Sequence, residues 1–543
     1  MADVREPMYL ERARAWLAAE PDEDIRHQLV DLLARNPASI EELFAGTLTF
    51  GTAGLRAPIG PGPLRMNRLV VRQAAAGLVD HLLEQDPGSA LRGILIGFDA
   101  RHKSREFAED TARVAGARGM RVLLFESPVP TPVLAWNVAR HDVAGAVMVT
   151  ASHNPAGDNG YKVYRANGAQ IVSPIDAMIA DKIRAVDPLS IALAPVDSPF
   201  VTRLDHRAVE EYLAWVPSVR LRPEVIGVPL AYTALHGVGG DVAVRALELS
   251  GFDRPSIVDA QHRPDPNFST VVFPNPEEQG AMDLVIDRAR ESGASMALAN
   301  DPDADRLGVA IPTRSGEWRR LSGDEIGWLM ADHILANTKG DDRLVVTTLV
   351  SSSLLAKMAL DHGVEFEETF TGFKWMASAV ERHPRCRLVF AYEQALGFLV
   401  ASEPLDKDGI SAAVLMAEIA GLAAAHGEAI EDRLDAIAER YGRHVTAESS
   451  IRVQPSVGST MVDELMKFPP ETIEGRRVID VISYPEASLV RLLIEGRGDD
   501  FVRIQVRPSG TEPKVKVYAE AVGEDPSPFL DAVVRLLGGT SRS

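Results

Sequence analysis

Apolar, β-branched runs alternate with amphipathic helical patterns through most of this chain, and that alternation confines it to βαβ units on largely parallel sheets. RGILIGFDA gives way to EFAEDTARVAGARG, then to MRVLLFES, a Pro-rich turn and VAGAVMVT. The pattern returns where VPLAYTAL precedes GGDVAVRALELSG and PSIVDA, and where MDLVIDRARESG leads into ASMALAND. A third round places RLVVTTLV before a helix at 352–362, and CRLVFAY before a long helix from Ile410. From Val445 the reading changes to short strands, AESSIRVQ, VIDVIS, SLVRLLIE, FVRIQVR and KVKVYAEA, followed by one helix at 528–537. The expected fold class is α/β: three similar mixed-sheet α/β domains plus a small C-terminal α+β domain, reached through a helical connector at 429–441. The expected domains are 1–205, 206–315, 316–440 and 441–543, in keeping with 543 residues at roughly 150 per domain.

Charge narrows the function classes. Lysine and arginine number 57 against 77 aspartates and glutamates, a formal net charge of -20. Such a surface repels nucleic acid and anionic membranes, so neither is an expected partner, and an anionic substrate must meet local positive charge. The one cysteine, Cys386, cannot close an intrachain disulfide, which fits a cytoplasmic setting; it reads as a small buried hydrophobe beside RLVFAY. The amino terminus lacks the uninterrupted apolar core of a signal peptide. The apolar stretch 410–425 is interrupted by Glu418 and falls short of the roughly 20 residues a membrane span needs, so it reads as a buried helix.

Three constellations carry chemistry. In VMVTASHNPAGDNGYKVY an apolar strand breaks at Thr150, and Ser152 is the hydroxyl placed just past it, beside His153 and Asn154. Functional groups gather on such strand-end loops. Asn159-Gly160 reads as a tight turn that brings Lys162 back toward the serine. In ALANDPDADRLGVA, Asp301, Asp303 and Asp305 crowd one strand end, and each pair repels by about a few kcal/mol at an effective dielectric near 20. Oxygen-only ligands favour a hard cation, Mg²⁺ or Ca²⁺. An EF-hand loop requires Gly and Glu where this chain has Arg306 and Pro312, so a catalytic Mg²⁺ with open positions is the better reading, with Arg306 orienting the site. In RPSGTEPKVKVY, Arg507, Ser509, Gly510 and Thr511 form an anion cradle of fork, hydroxyls and backbone N–H groups, with Lys514 and Lys516 nearby. Weaker signals are Lys374 after the Thr371-Gly372 turn, Glu393 and Gln394 at a strand end, and Phe50-Gly51-Thr52-Ala53-Gly54-Leu55 ending in Arg56. His236, in TALHGVGG, reads as a turn residue.

Taken in order, FGTAGLR, TASHNP, DPDADR, TGFK, EQALGF and RPSGTEPK resemble the α-D-phosphohexomutase superfamily of phosphoglucomutases and phosphomannomutases, over nearly the whole chain. The resemblance implies four domains around a central cleft and an intramolecular phosphotransferase acting on a small phosphosugar. It implies that Ser152 carries the transferable phosphoryl group and that Asp301, Asp303 and Asp305 bind Mg²⁺ together with an oxygen of that serine. Arg56, His153, Lys162 and Lys374 would support catalysis, with Lys162 and Lys374 placed for proton transfer. Arg306, Thr371, Gly372, Glu393 and Gln394 would contact substrate, and Arg507, Ser509, Gly510 and Thr511 would hold the phosphate that is not reacting. The implied activator is glucose 1,6-bisphosphate or the matching sugar bisphosphate, and the implied assembly a monomer or dimer. Where well-known members read Glu-x-Ser, this chain has Glu393-Gln394-Ala395, which places it nearer the phosphopentomutases, glucose-1,6-bisphosphate synthases and many bacterial phosphomannomutases. The expected reaction interconverts hexose 1- and 6-phosphates of glucose or mannose, with a pentose phosphate as rival. A metal-dependent phosphatase and a non-catalytic sugar-phosphate sensor are the alternatives from other classes.

Overall fold

The computed structural model describes residues 8–49, 54–496, 498, 500–509 and 514–539. Its contacts divide the chain into two compact units, one of 1–320 with 397–421 and one of 321–396 with 422–543.

The first unit opens with helices Met8–Ala19, Glu23–Arg35 and Pro37–Phe44. Their apolar residues Ala13, Trp16, Leu29, Ile40 and Phe44 pack on Leu69 and Val70 of helix Arg68–Gln85. Behind them stands a sheet of β1 (Leu55–Pro58), β2 (Ile94–Phe98), β3 (Val122–Phe125), β4 (Gly145–Val149), β5 (Asp158–Arg165) and β6 (Val201–Leu204), in the order 1-5-4-2-3-6. β4, β2, β3 and β6 run parallel, while β5 and β1 add antiparallel strands at one edge. β2, β3 and β4 are buried at every position, as strands covered on both faces must be. A second sheet repeats the plan with β7 (Leu230–Thr233), β8 (Ser256–Ile257), β9 (Met296–Asn300), β10 (Leu307–Pro312) and β11 (Trp318–Arg320), in the order 11-10-9-7-8. Strand β15 (Gly397–Leu399) touches this unit through a bridge from Gly397 to Arg306, and the helix Gly409–Ala425 follows. Glu418 in that helix is fully buried; it accepts from Arg220 Nε at 3.0 Å and from the N–H groups of Leu221 and Arg222. A paired carboxylate of this kind is what lets a charge sit in an otherwise apolar helix. No single helix among the described residues is long and apolar enough to cross a membrane.

In the second unit β12 (Arg343–Thr348) pairs in parallel with both β13 (Glu365–Thr369) and β14 (Arg387–Glu393), so the loops leaving all three strands emerge on one edge. The remaining sheet is antiparallel, with β16 (His444–Arg452), β17 (Thr472–Ile473), β18 (Arg476–Tyr484), β19 (Leu489–Glu495), β20 (Phe501–Pro508) and β21 (Lys514–Val522) in the order 16-21-20-19-18-17. Three local expectations need correction. The C-terminal region holds two helices, Pro455–Lys467 and Ser527–Leu536, because Val462 and Leu465 of the first turn inward at helical spacing and join the same core. Asn159-Gly160 is no turn: both residues lie inside β5, and the chain reverses at 152–157 instead. Cys386 is half-buried, because it sits in the turn before β14 rather than within the strand.

One buried carboxyl here carries a pH prediction. Asp324 in helix Gly323–Asn337 accepts from the Ser352 N–H at 2.8 Å and the Tyr392 hydroxyl at 2.9 Å, both through Oδ1. Burial raises its pKa from 3.8 to about 6; Glu520 adds to the rise, while its hydrogen-bond donors and Arg503 oppose it. Between pH 4 and 6 the unfolded chain has released this proton and the folded chain has not, so stability falls as pH rises across that window. Asp324→Asn keeps the acceptor and removes the charge. It is expected to flatten that slope and to stabilise the unit by about 3 kcal/mol above pH 7. Thermal unfolding of both proteins from pH 4 to 8 checks this, and parallel curves would refute it.

Candidate active site

The segment after β4 is shaped by its own polar side chains. Thr150 Oγ1 accepts the Ser152 N–H at 2.8 Å, and Ser152 adopts φ +52°, a left-handed conformation that turns the chain out of the strand. Arg101, beyond the end of β2, holds the reversal from beneath. Its Nη2 donates to the carbonyls of Ser152 and Asn154, each at 2.5 Å, and its Nη1 to those of Pro155 at 2.8 Å and Asp158 at 3.3 Å. Arg56 Nη1 donates to Asn154 Oδ1 at 2.9 Å, and Asn159 anchors to the His102 carbonyl and the Ser104 hydroxyl. β5 then runs back beside β4 with Lys162 opposite Met148.

This places Ser152 against the acidic triplet. Its hydroxyl donates to Asp301 Oδ2 at 2.8 Å and lies 3.1 Å from His153 Nδ1. Asp301, Asp303 and Asp305 follow β9 in a turn whose Ala304 has φ +57°, and each is at most 1% exposed. One carboxylate oxygen from each lies within 4.8 Å of the others. Lys162 Nζ donates to Asp303 Oδ2 at 2.7 Å and Asp305 Oδ2 at 2.8 Å. Thr131 Oγ1 adds a 2.7 Å bond to Asp303, and Lys407 Nζ stands 3.4 Å from Asp305 Oδ2. The Arg306 N–H bonds Asp301 Oδ1 at 3.0 Å.

The electrostatics divide the triplet. Burial, reinforced by the charges of Asp303 and Asp305, pushes Asp301 well above the usual carboxyl range. Burial also acts to raise Asp305, but Lys162, Lys407 and Arg306 overcome it and hold that group low. Asp303 is likewise lowered, burial and Asp305 being outweighed by Lys162 and Thr131. Burial acts to lower the Lys162 pKa; the two aspartates outweigh it and raise it. Burial keeps His153 well below its ordinary pKa, and Arg306 and Arg56 add to the effect. Asp303 Oδ1 and Asp305 Oδ1 are buried and accept no hydrogen bond from the described residues, as expected of carboxylates shaped around a cation. Three buried carboxylates, two of them with an oxygen left unbonded among the described residues, form an all-oxygen ligand set that fits a hard divalent ion.

The other predicted residues lie in the second unit. Gly372, φ +114°, precedes helix Phe373–Arg382, where Lys374 is 7% exposed with Nζ 5.7 Å from the Trp375 ring centroid. Glu393 ends β14, buried, with Gln394 half-buried beside it. Thr371 and Gly372 follow β13 on the same sheet edge. Arg507 lies half-buried on β20 opposite Lys516, and the Ser509 N–H donates to the Lys514 carbonyl at 2.8 Å. Gly510 and Thr511 lie outside the described residues, as do Phe50 to Ala53. Three further contributors carry no signal in the sequence that ties them to the site: Arg101, Thr131 and Lys407. Asp99-x-Arg101 at a strand end and Asp406-Lys407-Asp408 were legible as charge clusters, but nothing in their spacing ties them to Ser152 or to the triplet.

Comparison with known proteins identifies the family of the chain. Family models described as phosphoglucomutase/phosphomannomutase alpha/beta/alpha domains I, II and III match residues 47–189, 210–316 and 322–441, and the model of the C-terminal domain matches 471–527. The chain belongs to the phosphoglucomutase/phosphomannomutase family. Among its relatives in that family, the Haemophilus influenzae protein named "Probable phosphomannomutase" is 39% identical over 85% of this chain and 94% of its own length. The human protein named phosphopentomutase is 34% identical over 89% of this chain and 86% of its own. A Staphylococcus aureus phosphoglucomutase is 30% identical over 93% and 94%. A Burkholderia thailandensis phosphoglucomutase/phosphomannomutase family protein shares the fold, with a TM-score of 0.69 over 90% of this chain and 96% of that one at 19% identity. The three α/β domains and the C-terminal domain expected of the chain are those of this family.

Proposed function

We propose that this family member is a phosphosugar mutase that exchanges phosphate between the 1- and 6-positions of glucose or mannose through phosphorylated Ser152. The observation that carries the reading is the 2.8 Å bond from the Ser152 hydroxyl into a buried triplet of carboxylates. In the first half-reaction the bond from phosphorus to Ser152 Oγ breaks and one to a sugar hydroxyl oxygen forms, the hydroxyl proton passing to a base. The bisphosphorylated sugar reorients, and its other phosphoryl group returns to Ser152 Oγ. Asp301, Asp303 and Asp305, with an oxygen of the phosphorylated serine, would hold Mg²⁺, which when bound offsets negative charge on the phosphoryl group. Lys162, pinned between Asp303 and Asp305, serves as a charge partner and proton donor rather than a base. Arg56 and Arg101 hold the serine loop, and His153 partners the serine hydroxyl. Glu393 and Gln394 read sugar hydroxyls with Thr371, Gly372 and Lys374. Arg507, Ser509, Gly510 and Thr511 cradle the phosphate that is not reacting, while Arg306 orients the metal turn. The domains divide near residues 205, 315 and 440, and a sugar bisphosphate restores any enzyme that loses its phosphoryl group. The enzyme works in the cytoplasm.

Incubation with glucose 1-phosphate, Mg²⁺ and a trace of glucose 1,6-bisphosphate tests the reading. Glucose 6-phosphate supports it, whereas free phosphate indicates a phosphatase. A second reading, exchange on pentose phosphates, is favoured by Ala395, which withholds a hydroxyl from the sugar loop. Ribose 1-phosphate in the same assay ranks the two. Metal binding has its own readout: Mg²⁺ added to chelator-treated protein at about 100 times its Kd is expected to stabilise the fold by about 2.7 kcal/mol. Asp303→Asn combined with Asp305→Asn removes that response, and an unaltered melting temperature in the parent protein would count against the site.

A further inference from the structure

The loop between β12 and helix Leu354–Asp361, residues 349–353, is gripped from two sides by groups of the second unit. On one side is the sugar-reading segment. The Ser351 hydroxyl accepts the Gln394 N–H at 3.2 Å and lies 3.1 Å from Gln394 Oε1 and 2.8 Å from Thr348 Oγ1. The same segment is pressed onto Gly323, where a Cβ would stand 1.9 Å from the Gln394 carbonyl oxygen. Gln394 is therefore fixed by backbone and side chain alike, its amide oxygen accepting from Ser351 and, at 3.4 Å, from Thr348.

On the other side is the face of β20 that carries the phosphate cradle. Arg503 Nη2 donates to the Ser351 carbonyl at 2.5 Å and pairs with Glu520 at 2.5 Å. Gln505 Nε2 donates to the Leu349 carbonyl, and Arg491 Nη2 joins it there at 3.0 Å. Glu520 in turn accepts from the Ser352 hydroxyl at 2.6 Å and the Ser353 N–H at 3.0 Å. Ser351 and Ser352 are fully buried, and Arg503 is 4% exposed. Residues 503, 505 and 507 alternate along one face of β20, so Arg507 sits about 13 Å along the strand from Arg503. The 349–353 loop is thus a spacer, with the hydroxyl reader at one end and the cradle strand at the other.

The geometry points to Ser351 and Arg503 as positioning residues that set the separation between the Glu393-Gln394 loop and the Arg507 cradle, and so discriminate six-carbon from five-carbon sugar phosphates. This rests on the mutase reading above. A sugar whose distal phosphate reaches the cradle while its hydroxyls meet Gln394 is bound at both ends, and one that is a carbon short or long forfeits one end. Cutting the Ser351 ties lets the two ends drift and lowers the selectivity without removing a group that touches substrate.

Ser351→Ala and Arg503→Lys test this, the second because the shorter lysine loses the planar guanidinium that aims Nη2 at both the Ser351 carbonyl and Glu520. Each is made in the full chain and again in a Ser152→Ala background, where calorimetry measures affinity for glucose 6-phosphate and ribose 5-phosphate without turnover. The Ser152→Ala parent is expected to prefer one sugar, and Ser351→Ala to cut that preference about fivefold, one neutral hydrogen bond's effect. In the turnover assay KM for the preferred sugar rises while kcat changes little, and Arg503→Lys moves both readouts in the same direction. A parent without preference, or variants whose preference is intact while their melting temperature falls, would overturn the inference and make the network purely structural. A parent that binds both sugars while the wild-type protein converts neither would instead sink the mutase reading, leaving this one to be decided by the affinity ratio.

Discussion

Ser152→Ala is expected to lose mutase turnover by at least about 10⁴-fold, the scale on which removing a covalent nucleophile acts. Neither neighbouring threonine hydroxyl is free to take over. Thr150, two residues away, is fully buried and spends its hydroxyl oxygen on the Ser152 N–H, and Thr131 is bonded to Asp303. The substitution removes one hydrogen bond to Asp301 and leaves the other contacts of the triplet standing. The folded protein should therefore persist, with a change in stability of about 1 kcal/mol. It should still respond to Mg²⁺ in thermal unfolding, and its intact mass should never carry the phosphoryl increment of the wild type. Turnover within tenfold of wild type would end the serine mechanism, whatever the fate of the metal site.

The path from sequence to this site shows which physics is readable in one dimension. Ser152, Asp301, Asp303 and Asp305 were legible because each stands at the end of an apolar strand, where polar residues have no packing role and their crowding has an electrostatic cost. The sequence pattern points Lys162 toward the serine for the wrong local reason. Asn159-Gly160 looked like a turn, yet the dipeptide is held extended in β5 by the Asn159 contacts to His102 and Ser104. Tertiary anchors overrode turn chemistry while leaving the outcome intact, since any reversal after β4 returns a strand beside it. The helix Pro455–Lys467 is hidden in the sequence because a Ser, Thr and Gly-rich stretch has weak intrinsic helix preference and gains its stability from packing Val462 and Leu465. Lys407 and Arg101 were unreadable in principle. Their partners lie 102 and 51 residues away in sequence, and only the folded sheet brings them together.

Arg101 carries the second large expectation. Its guanidinium is 4% exposed, stacks 4.8 Å from the Phe268 ring centroid, and serves four carbonyls of the serine loop together with the buried Asp99 at 3.3 Å. Burial drags the Arg101 pKa down and the Asp99 pKa up, each charge restraining the shift of the other. Arg101→Met removes the restraint on Asp99 and strips the loop of its donors, so it is expected to cost about 3–5 kcal/mol in the first unit, as breaking a buried pair does. Turnover should fall as well, because the Ser152 and Asn154 carbonyls lose their donor and the loop keeps only its lesser ties, Thr150 to the Ser152 N–H, Arg56 to Asn154 and the Ser152 hydroxyl to Asp301. The two losses separate in the double variant. Asp99→Asn keeps an acceptor for the Ser104 hydroxyl and the Arg101 N–H while deleting the stranded charge, so Arg101→Met with Asp99→Asn should recover much of the stability. It should recover little of the turnover, since the carbonyls of Ser152, Asn154, Pro155 and Asp158 remain without their donor. Urea unfolding and kcat measured on the three variants decide the point. Stability and turnover returning together would reduce Arg101 to a counter-ion for Asp99, and an Arg101→Met protein indistinguishable from wild type would show that the serine loop holds its shape unaided.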